Sequence, residues 1–211
     1  MLNIKQLDKS YNNVIKSKNK KDILKFTSTV SENITILNSK IDTCIQLYNS
    51  IILDMTKKIQ NSFPKDILLK LQSSIITNII KLKTNTQELI NLFIMNIYKN
   101  DEYRINILQG NDSFFIQDIQ QTLNVFEHKE HNNHKEHNNN HNNHKEHNNH
   151  NDLDKLNIIY QIKKYWLNMP SHIQDYLKLS LKTLVQLSEQ YINYKSDVYK
   201  LNDMIKIINN Y

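Results

Sequence analysis

Eight of the nine histidines lie between 127 and 150, in the stretch EHKEHNNHKEHNNNHNNHKEHNNH. Imidazoles three residues apart are the right chemistry to gather Zn²⁺, Ni²⁺ or Cu²⁺. A dedicated metal site also needs a second shell of hydrogen bonds and a rigid scaffold to hold its ligands. This stretch is assembled from the hexapeptide HKEHNN, intact from 128, 134 and 144, and it has no apolar residue from 127 to 152. Nothing in it offsets the entropy lost on ordering. Two metalloprotease patterns fail on register. HExxH is broken by Lys129, Lys135 and Lys145 between His and Glu, and HxxEH by Glu127, Asn133 and Asn143 where His is required. The expectation is a disordered linker over 127–152 that holds no metal. The competing reading is a metal- or pH-responsive regulator, since eight imidazoles turn cationic as pH falls through about 6.5.

Two further residues could do chemistry. Cys44 is the only cysteine, which excludes an intramolecular disulfide and fits a reducing compartment. It falls on a helical apolar stripe and reads as a small core residue, not a nucleophile. His172 falls in the first turn of a predicted helix, where a surface role suits it. A single glycine leaves no phosphate-binding loop and no dinucleotide fingerprint. The sequence therefore predicts no catalytic residue, no cofactor and no enzyme.

Composition weakens the usual inference from charge. Formal net charge is +6 and pI about 9.1, but Arg104 is the one arginine and alanine is absent. Arginine is the preferred residue for bidentate phosphate and base contacts, so a solvated lysine-rich surface explains the charge better than nucleic acid does. The apolar run at 89–98 is short of the ~20 residues a bilayer span requires, and no apolar core of signal-peptide length opens the chain. A cytoplasmic or nuclear location without membrane insertion is expected.

The elements around these residues read as helices throughout. Residues 1–21 form a polar, basic N-terminal tail in this reading. Residues 22–126 form a helical hairpin plus a short helix. Its first arm carries Val30, Ile34, Leu37, Ile41, Cys44, Tyr48, Ile51 and Met55 at heptad spacing, with Ile45, Ile52 and Ile59 widening the stripe. Pro64 breaks the helix, and Ser62 is placed as the cap of the second arm. That arm is read as one helix with Leu68, Leu71, Ile75, Ile79, Leu82, Leu89, Phe93 and Ile97 on its inward face. Gly110 is expected to end it in a left-handed conformation, and Asp112 or Ser113 to start a shorter helix with Phe115, Ile119, Leu123 and Phe126.

Residues 153–211 form a short helix and a C-terminal coiled-coil helix. Tyr160, Tyr165 and Trp166 are expected to be core, with a partner-docking hot spot as the alternative. Ser171 and Gln174 read as a capping box. The last helix then carries Ile173, Leu177, Ser180, Leu184, Leu187, Tyr191, Tyr194, Val198, Leu201, Ile205 and Ile208, a continuous heptad core. Without alanine and rich in Asn, Ser, Thr and Ile, these helices depend on burial of their stripes. The last stripe outruns its short neighbour in sequence. Leu184, Leu187, Tyr191, Tyr194, Val198, Leu201, Ile205 and Ile208 are therefore the expected partner-binding seam.

The fold class is all-α: an extended helical hairpin or bundle with long coiled-coil helices, interrupted by a disordered His/Asn-rich insertion. The expected function is a non-catalytic structural subunit of a multiprotein complex, in a spindle, kinetochore or cytoskeletal motor-adaptor setting, with other helical subunits as homo- or hetero-oligomeric partners. A subunit of a transcriptional coactivator or a vesicle-tethering complex is the nearest alternative.

Overall fold

The computed structural model describes residues 4–17, 19–82, 86–116 and 158–210. Every regular element among them is helical, so the protein is all-α. The linker expected over 127–152 lies outside the described residues, as does the stripe at Ile119, Leu123 and Phe126.

Two long helices form the frame: α2 (Lys20–Ser62, 43 residues) and the C-terminal Ser171–Asn209 (39 residues), here α7. They are each other's principal neighbours. The Lys58 ammonium sits 4.6 Å over the Tyr176 ring and that of Lys40 sits 5.4 Å over Tyr194, so the two run antiparallel. At ~1.5 Å rise per residue each spans roughly 60 Å. The core between them takes Ile41, Cys44, Ile45, Tyr48, Ile52 and Met55 from α2, and Leu177, Leu181, Leu184, Val185, Leu187 and Tyr191 from α7. Most residues of the heptad columns read from sequence are buried, Ile34, Ile51, Ile173, Tyr194, Val198 and Ile205 are half-buried, and Leu181, Val185 and Ser188 add a buried column on α7.

Both ends of this pair are covered by shorter helices. At the end where α2 finishes lie α3 (Ile67–Leu82), α4 (Glu88–Phe93), α5 (Asp101–Gln109) and α6 (Ile158–Tyr165). At the other end lies α1 (Ile4–Ser17). The basic-tail reading of residues 1–21 is thereby corrected. Leu7 and Val14 are buried against Phe26, Val30, Leu37, Leu201 and Ile208, and Tyr11 lies 6.1 Å from the Phe26 ring. The 4–3 spacing of Leu7, Tyr11 and Val14 already carried this stripe, diluted by the surrounding lysines and asparagines. The turn into α2 is built by Asn19, whose Oδ1 accepts the Lys21 N–H at 2.9 Å.

Pro64 ends α2 as expected, but Ser62 is not the next cap. Its hydroxyl donates back to the Lys58 carbonyl at 2.9 Å, and Asp66 caps α3 by accepting the Leu69 N–H at 3.0 Å. The single second arm is also corrected. It divides into α3, α4 continued by a π-turn over Ile94–Tyr98, and α5. Asn100 caps α5 through the Tyr103 N–H. Gly110 closes it at φ 66, the left-handed conformation that glycine adopts without a Cβ penalty. Asn111, one residue before the expected start, then caps a helical turn over 112–116 through the Ser113 N–H at 3.1 Å. The capping box at α7 does not form. Pro170 occupies the cap position, and Gln174 turns away to donate to the Trp166 carbonyl at 2.7 Å.

Candidate helix-binding surfaces

The expected seam is placed clearly. Leu184, Leu187, Tyr191, Leu201 and Ile208 are buried, while Tyr194, Val198 and Ile205 are half-buried. The expectation that the far end of this stripe lacks cover in its own chain is corrected. There α2 continues antiparallel beside it, and α1 folds back over both. Sequence order suggested the short neighbour at 153–168 as the only cover. Pairing between the first and last long helices was invisible to an argument from adjacency.

Cover at that end is nevertheless incomplete. A groove of about 360 Å³ remains between α1 and α2, floored by Leu7, Val14 and Phe26 and rimmed by Ser10, Asn13, Ser17, Asp22, Lys25 and Thr29. Met204 and Ile205 are only partly buried there, and Leu24, Tyr199 and Ile207 are exposed. The groove opens to solvent along the α1–α2 junction, so α1 leaves part of that face of α2 uncovered.

Two asparagines interrupt the α2 core. Asn33 and Asn49 are both buried, and the Oδ1 of each has no hydrogen-bond partner. Asn33 donates from Nδ2 to the Thr29 carbonyl one turn back at 2.7 Å, whereas Asn49 donates across the fold to the Thr86 carbonyl at 3.2 Å. Asn33 sits between Val30 and Leu37 in the stripe that faces α1 and the end of α7. A polar residue at a core position of paired helices fixes register at a cost in stability.

At the opposite end an aromatic cluster locks α5, the turn at 112–116 and α6 together. Phe115 stacks on Trp166 with centroids 4.4 Å apart, and Phe114 lies edge-on to both Tyr103 and Phe115. The buried Lys163 ammonium sits 4.0 Å over the Phe114 ring. Phe63 packs on Tyr165 at 4.7 Å, and the Tyr165 hydroxyl donates to Asp66. Trp166 and Tyr165 are thus core, as expected; the side chain of Tyr160 lies outside the described residues. Sequence reasoning had no signal for the Asp66 partner, which is 99 residues distant.

The face read as inward on the second arm holds only in part at α3: Ile79 packs on the core, Leu71 and Ile75 do not, and the side chains of Leu68 and Leu82 lie outside the described residues. Ile67, Leu71 and Ile75 are exposed (81%, 57% and 39%), while Leu69, Gln72, Ser73 and Ile76 face the core. This helix is apolar on two sides, and its spacing alone does not say which one packs on α2.

Cys44 is buried, and burial pushes its thiol pKa up. His172 is exposed in the first turn of α7. Among the described residues no cluster of His, Cys, Asp or Glu could hold a metal ion, and no helix is long and apolar enough to cross a membrane. The fold therefore defines a class, an all-α protein organised on two long antiparallel helices. No family model, no curated protein and no solved structure matches this chain.

Proposed function

We propose that this chain is a non-catalytic structural subunit of a multiprotein complex, engaging partner helices in coiled-coil fashion at the α1 end of the α2–α7 pair. The observation that carries the reading is the open groove of about 360 Å³ between α1 and α2, at the end of the helix pair where Met204 and Ile205 of α7 stay half-buried. A seam whose third position is loosely filled gains apolar burial when a better-fitting helix is added, at about 25 cal/mol per Å² removed from water. A pair of helices roughly 60 Å long, with its core consumed by self-packing, suits a spacer in a spindle, kinetochore or motor-adaptor type of assembly.

Purification of the native complex, followed by crosslinking and mass spectrometry, tests this. The reading expects stoichiometric helical partners linked to Lys20, Lys21 or Lys25 of α2 and to Lys195, Lys200 or Lys206 of α7. An Ile205→Glu variant of unchanged helicity should lose those partners. Recovery of the chain as a lone monomer from native extract would overturn the proposal.

A further inference from the structure

Five of the chain's six net positive charges fall within residues 1–25, which hold seven lysines against Asp8 and Asp22. The fold brings this stretch to one corner, where α1 turns back along the start of α2. Lys9, Lys16, Lys20, Lys21 and Lys25 are exposed there.

The groove of about 360 Å³ opens at the same corner. Its α1 wall is Ser10, Asn13 and Ser17, and its α2 wall is Asp22, Lys25 and Thr29. On α1, Lys9 and Lys16 each lie one helical turn from Asn13; on α2, Lys21 lies one turn from Lys25. Lysines therefore border the groove on both helices. The two acids do not cancel them. Asp8 is two residues from Ser10 and so falls on the opposite side of α1. Asp22 stands against four lysines, and it already accepts the Ser17 hydroxyl across the helix junction at 3.5 Å.

Floor and rim together select the partner. The floor of Leu7, Val14 and Phe26 calls for an apolar group. A cavity of about 150 Å³ admits a group the size of benzene, so the groove has room for a leucine or phenylalanine side chain. Lysines on both sides call for carboxylates flanking that group. A phosphate backbone offers no such apolar group, and the one arginine, the residue best suited to phosphate, is Arg104 of α5. A bilayer takes up apolar side chains that face it, whereas Leu7, Val14 and Phe26 are buried within the fold.

We propose that the α1–α2 groove receives an acidic amphipathic helix of another protein. One large apolar side chain enters over Leu7, Val14 and Phe26, and aspartates or glutamates one turn to either side of it reach Lys9 and Lys16 on α1 and Lys21 and Lys25 on α2. This inference rests on the helix-binding reading and adds to it the chemistry of the partner.

Selection from a displayed library of amphipathic helices, with the full-length chain as bait, tests it. Every peptide keeps leucine at both core positions of each heptad, and each flanking position is glutamate, lysine or glutamine. The expected pool is rich in glutamate at the flanks, and its binding weakens as salt rises. Lys16→Glu combined with Lys25→Glu, one exposed lysine from each helix, should weaken that pool by about tenfold and favour lysine-flanked peptides instead. Ser10→Trp leaves every charge in place, fills the groove and should abolish binding, with unchanged far-UV circular dichroism showing that both variants fold. Glutamine- or lysine-flanked peptides selected by the unaltered chain would keep the helix-binding reading and overturn this inference. An empty selection would also overturn it, while stoichiometric partners in the native complex would still uphold that reading. Duplex DNA or phosphatidylserine vesicles binding in place of a glutamate-rich pool, undiminished by Ser10→Trp, would assign the lysines to phosphate and overturn it as well.

Discussion

Replacing Asn33 by leucine should stabilise the protein. The Asn33 Oδ1 is buried without a partner, and a desolvated, unpaired acceptor costs about 1–3 kcal/mol. The substitution also removes the Nδ2 bond to the Thr29 carbonyl, worth about 0.5–1.5 kcal/mol. That bond stays within one turn of α2, so its loss strands nothing across the fold. Leucine adds apolar contact among Val30, Leu37 and Leu201 at close to the same volume. The net expectation is a gain of about 1–2 kcal/mol, or a rise in Tm of about 2–8 °C at this chain length. Urea unfolding should show a higher midpoint with an unchanged slope. Asn49→Leu provides the contrast. It too removes an orphaned Oδ1, but it strips the buried Thr86 of a donor that ties α2 to the start of α4. A loss of about 1 kcal/mol or more is expected there. If Asn33→Leu instead destabilises by more than about 1 kcal/mol, the assignment of an unpaired acceptor at that position is refuted.

Other consequences follow from burial. Leu201→Ala, at a fully buried position where α1, α2 and α7 meet, should cost about 2–5 kcal/mol, and Leu179→Ala, 66% exposed on the same helix, less than about 0.5 kcal/mol, both read by urea titration. Burial raises the pKa of Tyr48 well above its ordinary value and that of Tyr191 less strongly. A raised folded pKa gives stability that is complete below the unfolded value and lost as pH climbs through the folded one. Stability should therefore hold to about pH 10 and then decline, and Tyr48→Phe should flatten that decline. The Cys44 thiol, buried and with its pKa raised, should react with a thiol reagent only as fast as the fold opens, so labelling tracks urea-induced unfolding; prompt labelling of the native chain would contradict its place in the core.

Periodicity told much of this fold and adjacency told little. The heptad columns of α2 and α7 were legible because a stripe must be buried whatever covers it, and Gly110 marked a helix end because only a left-handed residue fits there. What covers a stripe was not legible. The antiparallel pairing of α2 with α7, the return of α1, and the Tyr165–Asp66 and Tyr176–Asp54 hydrogen bonds all join residues far apart in the chain. Residues 67–82 misled because both faces are apolar, so the periodic signal carries no direction. The capping box at Ser171 failed because Pro170 took the cap and the Trp166 carbonyl captured Gln174. The π-turn at Ile94–Tyr98 had no counterpart in the sequence pattern. Of the candidate surface, the half-buried Tyr194, Val198 and Ile205 could be named in advance, whereas the groove between α1 and α2 depends on how α1 returns.

The central claim is that the α7 stripe is filled first by its own chain. Equal amounts of ¹⁵N-labelled and unlabelled protein can be unfolded together, refolded and treated with a lysine crosslinker. Lys58, whose ammonium lies 4.6 Å from the Tyr176 ring, should link to Lys178, and Lys40, 5.4 Å from the Tyr194 ring, to Lys195. The account predicts linked peptides that are wholly heavy or wholly light. Half of the Lys40–Lys195 product carrying one heavy and one light peptide would place α2 of one chain on α7 of another, and would contradict it.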